Sequence, residues 1–307
     1  MPLEPIQLND GNKIPAIAYG TGSKLKFQDI TQYIEQAIEL GFSHIDTADY
    51  YETEEYVGKA IKESGLARSE LFVTTKYFGL GKSTTVDESI QESLSKLSLR
   101  SLDLYLIHQP EYLPNVSEVW KGFEKAQREG LAKSIGVSNL VDPQGLEDLI
   151  KGANVKPAVN QIMLHPYNYH EMKPVLDLCA KHHIVVEAYS SLAPITTYPN
   201  GPVDVPIQAA ARRTGATPTQ VVFLWVRAKG AVVVTTSTNK AHMEEYLAVA
   251  DLPSLTDEEV AAIDVAGAQG PPSGLTARVR RMDTKEKVMW AVVGTMILFY
   301  GLGRMCG

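Results

Sequence analysis

Four side chains capable of acid–base chemistry follow short apolar runs in the first part of the chain. They are Asp46, Tyr51, Lys76 and His108. A tyrosine hydroxyl has an ordinary pKa of about 10 and exchanges protons poorly at neutral pH, but a nearby ammonium lowers that pKa. We expect Lys76 to lower the pKa of Tyr51, and Asp46 to keep Lys76 charged. His108 can orient a substrate oxygen, so the group can act on a carbonyl or an alcohol.

These residues lie within a repeated strand–helix pattern. Eight short runs rich in Val, Ile and Tyr alternate with segments of helical spacing, at a period of roughly 30 residues. The predicted strands are 16–20, 44–46, 71–76, 102–108, 134–138, 158–161, 184–188 and 232–235. The predicted helices are 29–40, 54–64, 85–96, 117–129, 144–151, 171–182, 218–229 and 241–249, followed by one at 256–266. Eight units predict an α/β fold, a (β/α)8 TIM barrel with its helices outside.

A doubly wound open sheet is the alternative architecture. A dinucleotide-binding sheet of that kind carries a glycine-rich phosphate turn after its first strand. Here Gly20, Thr21 and Gly22 follow the first strand, but no helix begins on them and no third glycine is correctly spaced. The barrel is therefore favoured, and in a barrel the side chains at the carboxyl ends of the strands meet at one mouth.

Amide, hydroxyl and aromatic side chains end the later predicted strands. Ser138 and Asn139 end the fifth strand, Gln161 ends the sixth, and Tyr189 ends the seventh. Side-chain amides suit a carboxamide, and an aromatic ring can stack on a flat heterocycle. A nicotinamide needs both kinds of contact.

Five motifs, in one order and at one spacing, resemble the aldo-keto reductase family. They are 46–54 followed by Val57-Gly58, Thr74-Thr75-Lys76, Leu106-Ile107-His108 with Pro110, Gly136-Val137-Ser138-Asn139, and Asn160-Gln161. The resemblance spans residues 6–270 and implies an NAD(P)H-dependent oxidoreductase that reduces aldehydes and ketones to alcohols. Within the family the chain is similar to a fungal-type branch that includes conjugated polyketone and ketopantoyl lactone reductases.

The resemblance also implies a role for individual residues. It makes Tyr51 the general acid, supported by Asp46, Lys76 and His108. The substrate would contact Tyr51, His108 and Gln109. The implied cofactor contacts are Thr21, Gly22, Asp46, Ser138, Asn139, Gln161, Tyr189, Ser190, Leu192, Thr235, Thr236, Ser237, Thr238, His242 and Glu245. Tyr189 would stack on the nicotinamide and Glu245 would reach the adenine, while no cluster has the spacing of a metal site.

The segment after the eighth strand departs from the family pattern. Many members have Ile-Pro-Lys-Ser there, with an arginine five residues after the serine. This chain has 234–237, Val-Thr-Thr-Ser, and His242 at the arginine position. The lysine and arginine that usually bind the 2′-phosphate of the cofactor are therefore missing. Lys240, His242 and the hydroxyls of Ser237 and Thr238 can replace them. The fungal-type branch is similar in this segment and uses NADPH, so the resemblance favours NADPH over NADH.

The expected substrate pocket departs from the family as well. Many aldose-reductase-like members have tryptophan after the first-strand Gly-Thr and after the fourth-strand histidine. Gly22-Ser23 and Gln109 occupy those positions here. The long carboxyl-terminal substrate loop of the family is short or rewritten after Pro272. We expect a wider, more polar mouth, suited to dicarbonyls or keto-lactones.

Local signals predict further details of the barrel. Asn9-Asp10-Gly11 between two extended pieces predicts a β-hairpin over 6–15 that covers the bottom of the barrel. Thr53 is expected to cap the helix that follows it. Thr256, with Glu259 three residues on, predicts a capping box at the start of the last barrel helix.

Composition limits the class of protein. The chain has 307 residues, 44% of them apolar, which excludes a disordered protein. A net charge of -7 argues against nucleic acid as a partner. Cys179 and Cys306 cannot form a disulfide framework, and residues 1–10 show no secretory leader. We expect a cytoplasmic, monomeric enzyme that acts on small molecules.

The carboxyl-terminal region differs from the rest of the chain. From Arg278 onward, six basic and two acidic residues give +4, which leaves -11 for the residues before it. Residues 288–303 are uncharged and as a helix would span about 24 Å, against about 30 Å for a bilayer core. We predict a barrel over 1–272, a basic linker over 273–287, and a membrane-anchor helix over 288–303. A helix packed on the barrel is the alternative.

Carbonyl reduction is the leading functional interpretation. One alternative is a cofactor-binding regulatory subunit of a membrane partner with little turnover, because the apolar tail would place the barrel beside a membrane. Another is an alcohol dehydrogenase running in the oxidative direction.

Overall fold

Eight parallel strands close into a barrel in the computed structural model, which describes residues 3–79 and 85–272. They are β3 (Ile17–Gly20), β4 (His44–Asp46), β5 (Phe72–Tyr77), β6 (Leu102–Ile107), β7 (Ala132–Ser138), β8 (Val159–Met163), β9 (Val185–Tyr189) and β10 (Val232–Thr235). Each strand pairs in parallel with its neighbours in the chain, and β10 closes the ring on β3, with Val233 opposite Ile17. The predicted (β/α)8 TIM barrel is confirmed.

Helices follow the strands around the outside. They are α1 (Thr31–Leu40), α2 (Glu54–Glu63), α3 (Val86–Leu97), α4 (Val116–Arg128), α5 (Pro143–Gly152), α6 (Tyr169–Lys181), α7 (Ala193–Thr196), α8 (Asp204–Thr214), α9 (Pro218–Ala228), α10 (Lys240–Leu247) and α11 (Asp257–Gly267). The sequence pattern did not predict α7 and α8. In α8 only Ile207, Ala210 and Thr214 are buried, so its apolar face is too sparse to give a helical period.

The amino-terminal hairpin covers the bottom of the barrel, as predicted. Its strands, β1 (Ile6–Gln7) and β2 (Lys13–Ile14), pair in antiparallel fashion, with Ile6 opposite Ile14. Leu8 and Ile14 are buried in one apolar cluster with Phe72 and Val159, the first residues of β5 and β8. The hairpin therefore seals the end of the barrel at which the strands begin.

Two helix caps were predicted, and the predicted side-chain hydrogen bonds form in one of them. Thr256 accepts a hydrogen bond from the backbone of Glu259, and the Glu259 carboxylate accepts one from the backbone of Thr256, so the capping box is confirmed. Thr53 occupies the predicted N-cap position of α2, but its side chain makes no capping hydrogen bond. Its hydroxyl lies 2.9 Å from those of Thr21 and Thr47, because Thr53 is fully buried and finds its hydrogen bonds inside the protein.

The predicted carboxyl-terminal elements lie outside the described residues. These are the basic linker 273–287 and the apolar helix 288–303. Within residues 3–79 and 85–272, no helix combines the length and apolar character needed to cross a membrane.

Candidate active site

Four predicted catalytic side chains meet at the carboxyl end of the barrel. Asp46 ends β4, Lys76 is the penultimate residue of β5, and His108 follows β6. Tyr51 lies on the short 3-10 helix Asp49–Tyr51 after β4. Its hydroxyl is 3.4 Å from Nε2 of His108, and Nζ of Lys76 is 5.2 Å from the centroid of its ring.

A buried ion pair supports Tyr51 from below. Nζ of Lys76 donates to Oδ1 of Asp46 at 2.6 Å and to the backbone oxygen of Thr47 at 2.7 Å. Lys76 is fully buried and Asp46 is 2% exposed. Burial alone would lower the pKa of Lys76, but Asp46 and the other acidic groups around it outweigh burial and raise that pKa. Lys76 therefore keeps its charge, as the sequence predicted.

The pKa of Tyr51 moves in the direction opposite to the sequence expectation. Burial raises it above its ordinary value of 10.0, and the lowering effect of the Lys76 ammonium is the smaller one. The expectation considered the charge of the lysine and not the desolvation of the phenolate. Tyr51 is therefore protonated at neutral pH and can act as a proton donor.

His108 is a neutral hydrogen-bonding group. Burial, together with the positive charges of Lys76 and Lys26, lowers its pKa to about 3. A neutral imidazole has one N–H donor and one acceptor nitrogen. With Tyr51 beside it, His108 can donate to the oxygen atom that accepts the tyrosine proton.

Sequence reasoning missed Glu187 and His44, which lie beneath this site. Nε2 of Gln161 donates to Oδ2 of Asp46 at 2.8 Å and to Oε2 of Glu187 at 2.9 Å. Nε2 of His44 is 3.8 Å from Oε1 of Glu187. Burial raises the pKa of Glu187 to about 8 and lowers that of His44 to about 4. The signal was a carboxylate inside the apolar run of β9, a position that otherwise disfavours charge.

Predicted cofactor residues at the carboxyl ends of β7 and β9 are in contact. The Tyr189 hydroxyl donates to Oδ1 of Asn139 at 2.6 Å, and Nδ2 of Asn139 donates to the backbone oxygen of His108 at 2.9 Å. The hydroxyl of Ser138 donates to the backbone oxygen of Gln161 at 2.8 Å. Asn139 and Ser190 have φ values of 60° and 55°, the left-handed region that non-glycine residues rarely occupy. Such strain at strand ends is typical of functional sites.

The predicted phosphate segment follows β10 at the same end of the barrel. Oγ1 of Thr236 is buried and has no hydrogen-bond partner within the described part of the chain. Tyr19 donates to the backbone oxygen of Ser237 at 2.8 Å. Thr238 and His242 are exposed on either side of Asn239, Lys240 and Ala241. Thr235 is buried at the end of β10.

The remaining predicted cofactor residues are more dispersed. The hydroxyl of Thr21 is buried against those of Thr47 and Thr53. Leu192 immediately precedes α7. Oε1 of Glu245 accepts a hydrogen bond from Thr217 at 2.5 Å, at the start of α9.

The mouth beside His108 is aromatic, so the expectation of a more polar mouth is wrong on this side. The rings of Tyr50 and Phe78 are 4.5 Å apart, and Phe78 is 5.7 Å from His108. Phe27 and Tyr112, both exposed, extend this surface at 5.9 Å from Tyr50 and 6.5 Å from Phe78. We call Phe27, Tyr50, Phe78 and Tyr112 the aromatic wall.

Gly22 and Gln109 flank the catalytic side chains. A Cβ at Gly22 would lie 3.1 to 3.3 Å from atoms of the Tyr51 side chain, so the glycine lets this loop approach the tyrosine closely. Gln109 precedes the 3-10 helix Pro110–Tyr112. The predicted roles of Gly22 as a cofactor contact and of Gln109 as a substrate contact stay predictions.

Known proteins resemble this chain in both sequence and structure. Residues 16–268 match the aldo/keto reductase family. The NAD/NADP-dependent indole-3-acetaldehyde reductase of Schizosaccharomyces pombe is 38% identical over 248 residues, 77% of this chain and 86% of that protein. Methylglyoxal reductase DkgA of Escherichia coli is 37% identical over 270 residues, 87% and 95% of the two chains. The crystal structure of Bombyx mori aldo-keto reductase AKR2E4 in complex with NADP has a TM-score of 0.77 at 35% identity, covering 86% of this chain and 93% of that one.

Fold and site together define a class of protein. A parallel barrel that brings a tyrosine, a histidine and a buried lysine–aspartate pair to its carboxyl-terminal mouth is organised for acid–base chemistry. Since the match covers most of its length, this chain belongs to the aldo/keto reductase family. The predicted family and enzyme class, an oxidoreductase, are confirmed.

Proposed function

We propose that this chain reduces the carbonyl group of aldehydes and ketones to an alcohol, with NADPH as the reductant and Tyr51 as the proton donor. The observation that carries the proposal is the 3.4 Å approach of the Tyr51 hydroxyl to Nε2 of His108, beside the buried Lys76–Asp46 pair. Relatives named as reductases of indole-3-acetaldehyde and methylglyoxal support an aldehyde or a dicarbonyl as substrate.

The chain's own residues divide the work of this reaction. His108 donates a hydrogen bond to the carbonyl oxygen and holds it against the Tyr51 hydroxyl. As negative charge develops on that oxygen, Tyr51 transfers its proton to it. The nearby ammonium of Lys76 stabilises the resulting phenolate, and Asp46 keeps the ammonium in place. A reduced nicotinamide supplies the hydride when bound.

The residues at the mouth fit a nicotinamide nucleotide. The unpartnered, buried hydroxyl of Thr236 is a donor that a phosphate oxygen would satisfy. Gln161 uses its amide nitrogen on Asp46 and Glu187, which leaves its oxygen to accept from a carboxamide. Ser237, Thr238, Lys240 and His242 follow Thr236 and would hold a 2′-phosphate. NADPH is favoured over NADH on this basis, and the B. mori structure in complex with NADP supports the choice.

Replacement of Tyr51 tests the proposal. Tyr51→Phe removes the donated proton and keeps the ring, so kcat for reduction should fall by about 10²- to 10⁴-fold. The affinity for NADPH, measured by fluorescence titration, should be unchanged. The control is Tyr56→Phe, on the outer helix α2, which should match the wild type in both measurements.

Equal turnover by Tyr51→Phe would overturn the assigned mechanism. Wild-type protein that binds NADPH but reduces no compound in a panel of aldehydes, ketones, dicarbonyls and keto-lactones would favour the cofactor-binding regulatory subunit. Running the panel with NADPH and NADH in parallel also tests the cofactor preference.

Membrane attachment through residues 288–303 is a separate proposal from the sequence. Its support is the uncharged run of 16 residues between Lys287 and Arg304. Carbonate extraction of membranes containing the full chain, or a chain lacking 278–307, tests it. Recovery of the full chain in the supernatant would reject the anchor.

A further inference from the structure

A second ammonium lies at the mouth of the site, above the proposed general acid. Nζ of Lys26 is 4.8 Å from the centroid of the Tyr51 ring and 5.1 Å from that of Tyr50. Its charge reaches the catalytic groups, because it contributes with Lys76 to the lowered pKa of His108. Two cations therefore flank Tyr51, one beneath it and one on the solvent side.

The two cations differ in their partners. Lys76 is paired with Asp46, whereas no carboxylate oxygen in residues 3–79 and 85–272 lies within 4.0 Å of Nζ of Lys26. The acid next in sequence to Tyr50 is Asp49, and its carboxylate is already occupied. It accepts backbone hydrogen bonds from Tyr50 at 2.5 Å and from Phe78 at 3.2 Å. A half-buried ammonium without a counter-ion favours an anion supplied from outside.

The backbone around Lys26 is held in a fixed relation to Tyr51. The backbone nitrogen of Phe27 donates to the backbone oxygen of Tyr51 at 2.9 Å. On the other side, Leu25 is buried and ends the 3-10 helix Ser23–Leu25. Lys26 is therefore placed by both of its neighbours, which limits the entropy lost when it binds a ligand.

The aromatic wall lies on the same side of the mouth as Lys26. The rings of Phe27 and Tyr50 are in edge contact at 5.9 Å, and the ring of Tyr50 also contacts that of Phe78 at 4.5 Å. A substrate whose carbonyl oxygen lies between Tyr51 and His108 would place its remaining atoms against these rings. Such a surface suits an unsaturated or apolar group, with a cation at its edge.

We propose that Lys26 binds a carboxylate of the substrate, and that the compounds preferred by this site are oxo acids with the carboxylate within a few bonds of the reacting carbonyl. The apolar or aromatic part of the oxo acid lies on Tyr50 and Phe78. This inference rests on the proposed function, and it narrows the substrate class for that same site.

A matched pair of substrates isolates the charge. Phenylglyoxylate and its methyl ester share the ketone and the ring and differ in the carboxylate. Lys26→Met keeps much of the stem and removes the ammonium, so its KM for phenylglyoxylate should rise about ten-fold while its KM for the ester stays unchanged. Lys26→Arg should keep the preference for the acid. The control is Lys24→Met, an exposed lysine on the adjoining 3-10 helix, which should match the wild type with both compounds.

Ionic strength gives an independent readout. Salt screens the ammonium, so the wild-type preference for acid over ester should weaken as salt rises, and Lys26→Met should show no such dependence. If Lys26→Met changes KM equally for acid and ester, or changes neither, the inference about Lys26 is overturned. In both cases the proposed function as a carbonyl reductase would be unaffected. Failure of the wild type to reduce any carbonyl would overturn the proposed function and this inference with it.

Discussion

At the scale of single residues, the site depends on a charge that is buried and fully paired. Lys76 and Asp46 are joined at 2.6 Å inside the barrel, and both are almost completely shielded from water. Removing one member of such a pair leaves the other charge buried without compensation. Replacement of Lys76 is therefore expected to affect the stability of the fold as well as the proposed chemistry.

Replacement of Lys76 should be costly for stability. Lys76→Met should lower the free energy of unfolding by about 3–5 kcal/mol, because Asp46 loses its counter-ion. Urea denaturation followed by circular dichroism measures the change. The exposed pair Lys121–Glu118 provides the control, and Lys121→Met should alter stability by no more than about 0.5 kcal/mol. A similar urea midpoint for Lys76→Met and the wild type would contradict this account.

At the scale of elements, the position of the Tyr51 loop depends on how α2 packs. Gly58 faces the end of α3, where a Cβ would lie 2.6 Å from the backbone oxygen of Leu97. At the start of α2, the carboxylate of Glu54 accepts a hydrogen bond from Thr75 of β5 at 2.6 Å. The helix that follows Tyr51 is thus fixed to its neighbours at both contacts.

A methyl group at Gly58 should disturb this packing. Gly58→Ala pushes α2 away from α3 and should lower the free energy of unfolding by about 1–3 kcal/mol, although alanine is the better helix former. Gly152→Ala, at the end of α5, meets no atom within 4 Å and should leave stability unchanged or slightly raised. Urea denaturation of both variants separates close packing from helix propensity. Equal stabilities would show that α2 can shift without cost.

The sequence predicted the elements better than the contacts between loops. The eight strands and their order followed from local patterns, and the predicted strand 16–20 differs from β3 by one residue. The residues proposed as catalytic could be predicted because each lies at the end of a strand or on the loop that follows it. Lys26 and Phe78 could not both be placed beside Tyr50, since they lie on different loops and only the closed barrel brings both of them to that ring. The raised pKa of Tyr51 was missed because desolvation depends on burial, which spacing does not reveal.

At the scale of the whole molecule, the barrel interior changes character from bottom to top. Its lower end is apolar, with Leu104 and Val159 packed under Ile14 of the hairpin. Higher up, Glu187 lies among polar side chains and is completely buried. The barrel interior therefore surrounds a carboxyl group whose pKa is raised by burial.

The titration of Glu187 should make global stability depend on pH. Burial raises its pKa in the folded protein to about 8, from an ordinary value of 4.5, so the folded state holds a proton that the unfolded state releases. Its contribution to the free energy of unfolding should therefore decrease as the pH rises from about 4.5 to about 8. Glu187→Gln keeps an acceptor for Gln161 and should remove this part of the slope. Urea unfolding across that pH range measures the free energy of unfolding of both proteins. Parallel pH profiles for the wild type and Glu187→Gln would contradict the prediction.

The position of the hairpin also determines how the barrel mouth is oriented when the protein is attached to a support through its amino-terminal residues. The residues of the hairpin lie at the end of the barrel opposite to Tyr51 and the aromatic wall. An enzyme immobilised on a solid support through residues ahead of Ile6 would present its catalytic face to the surrounding solution. Reactor beads or electrodes prepared in this way would leave the path for reactant diffusion open.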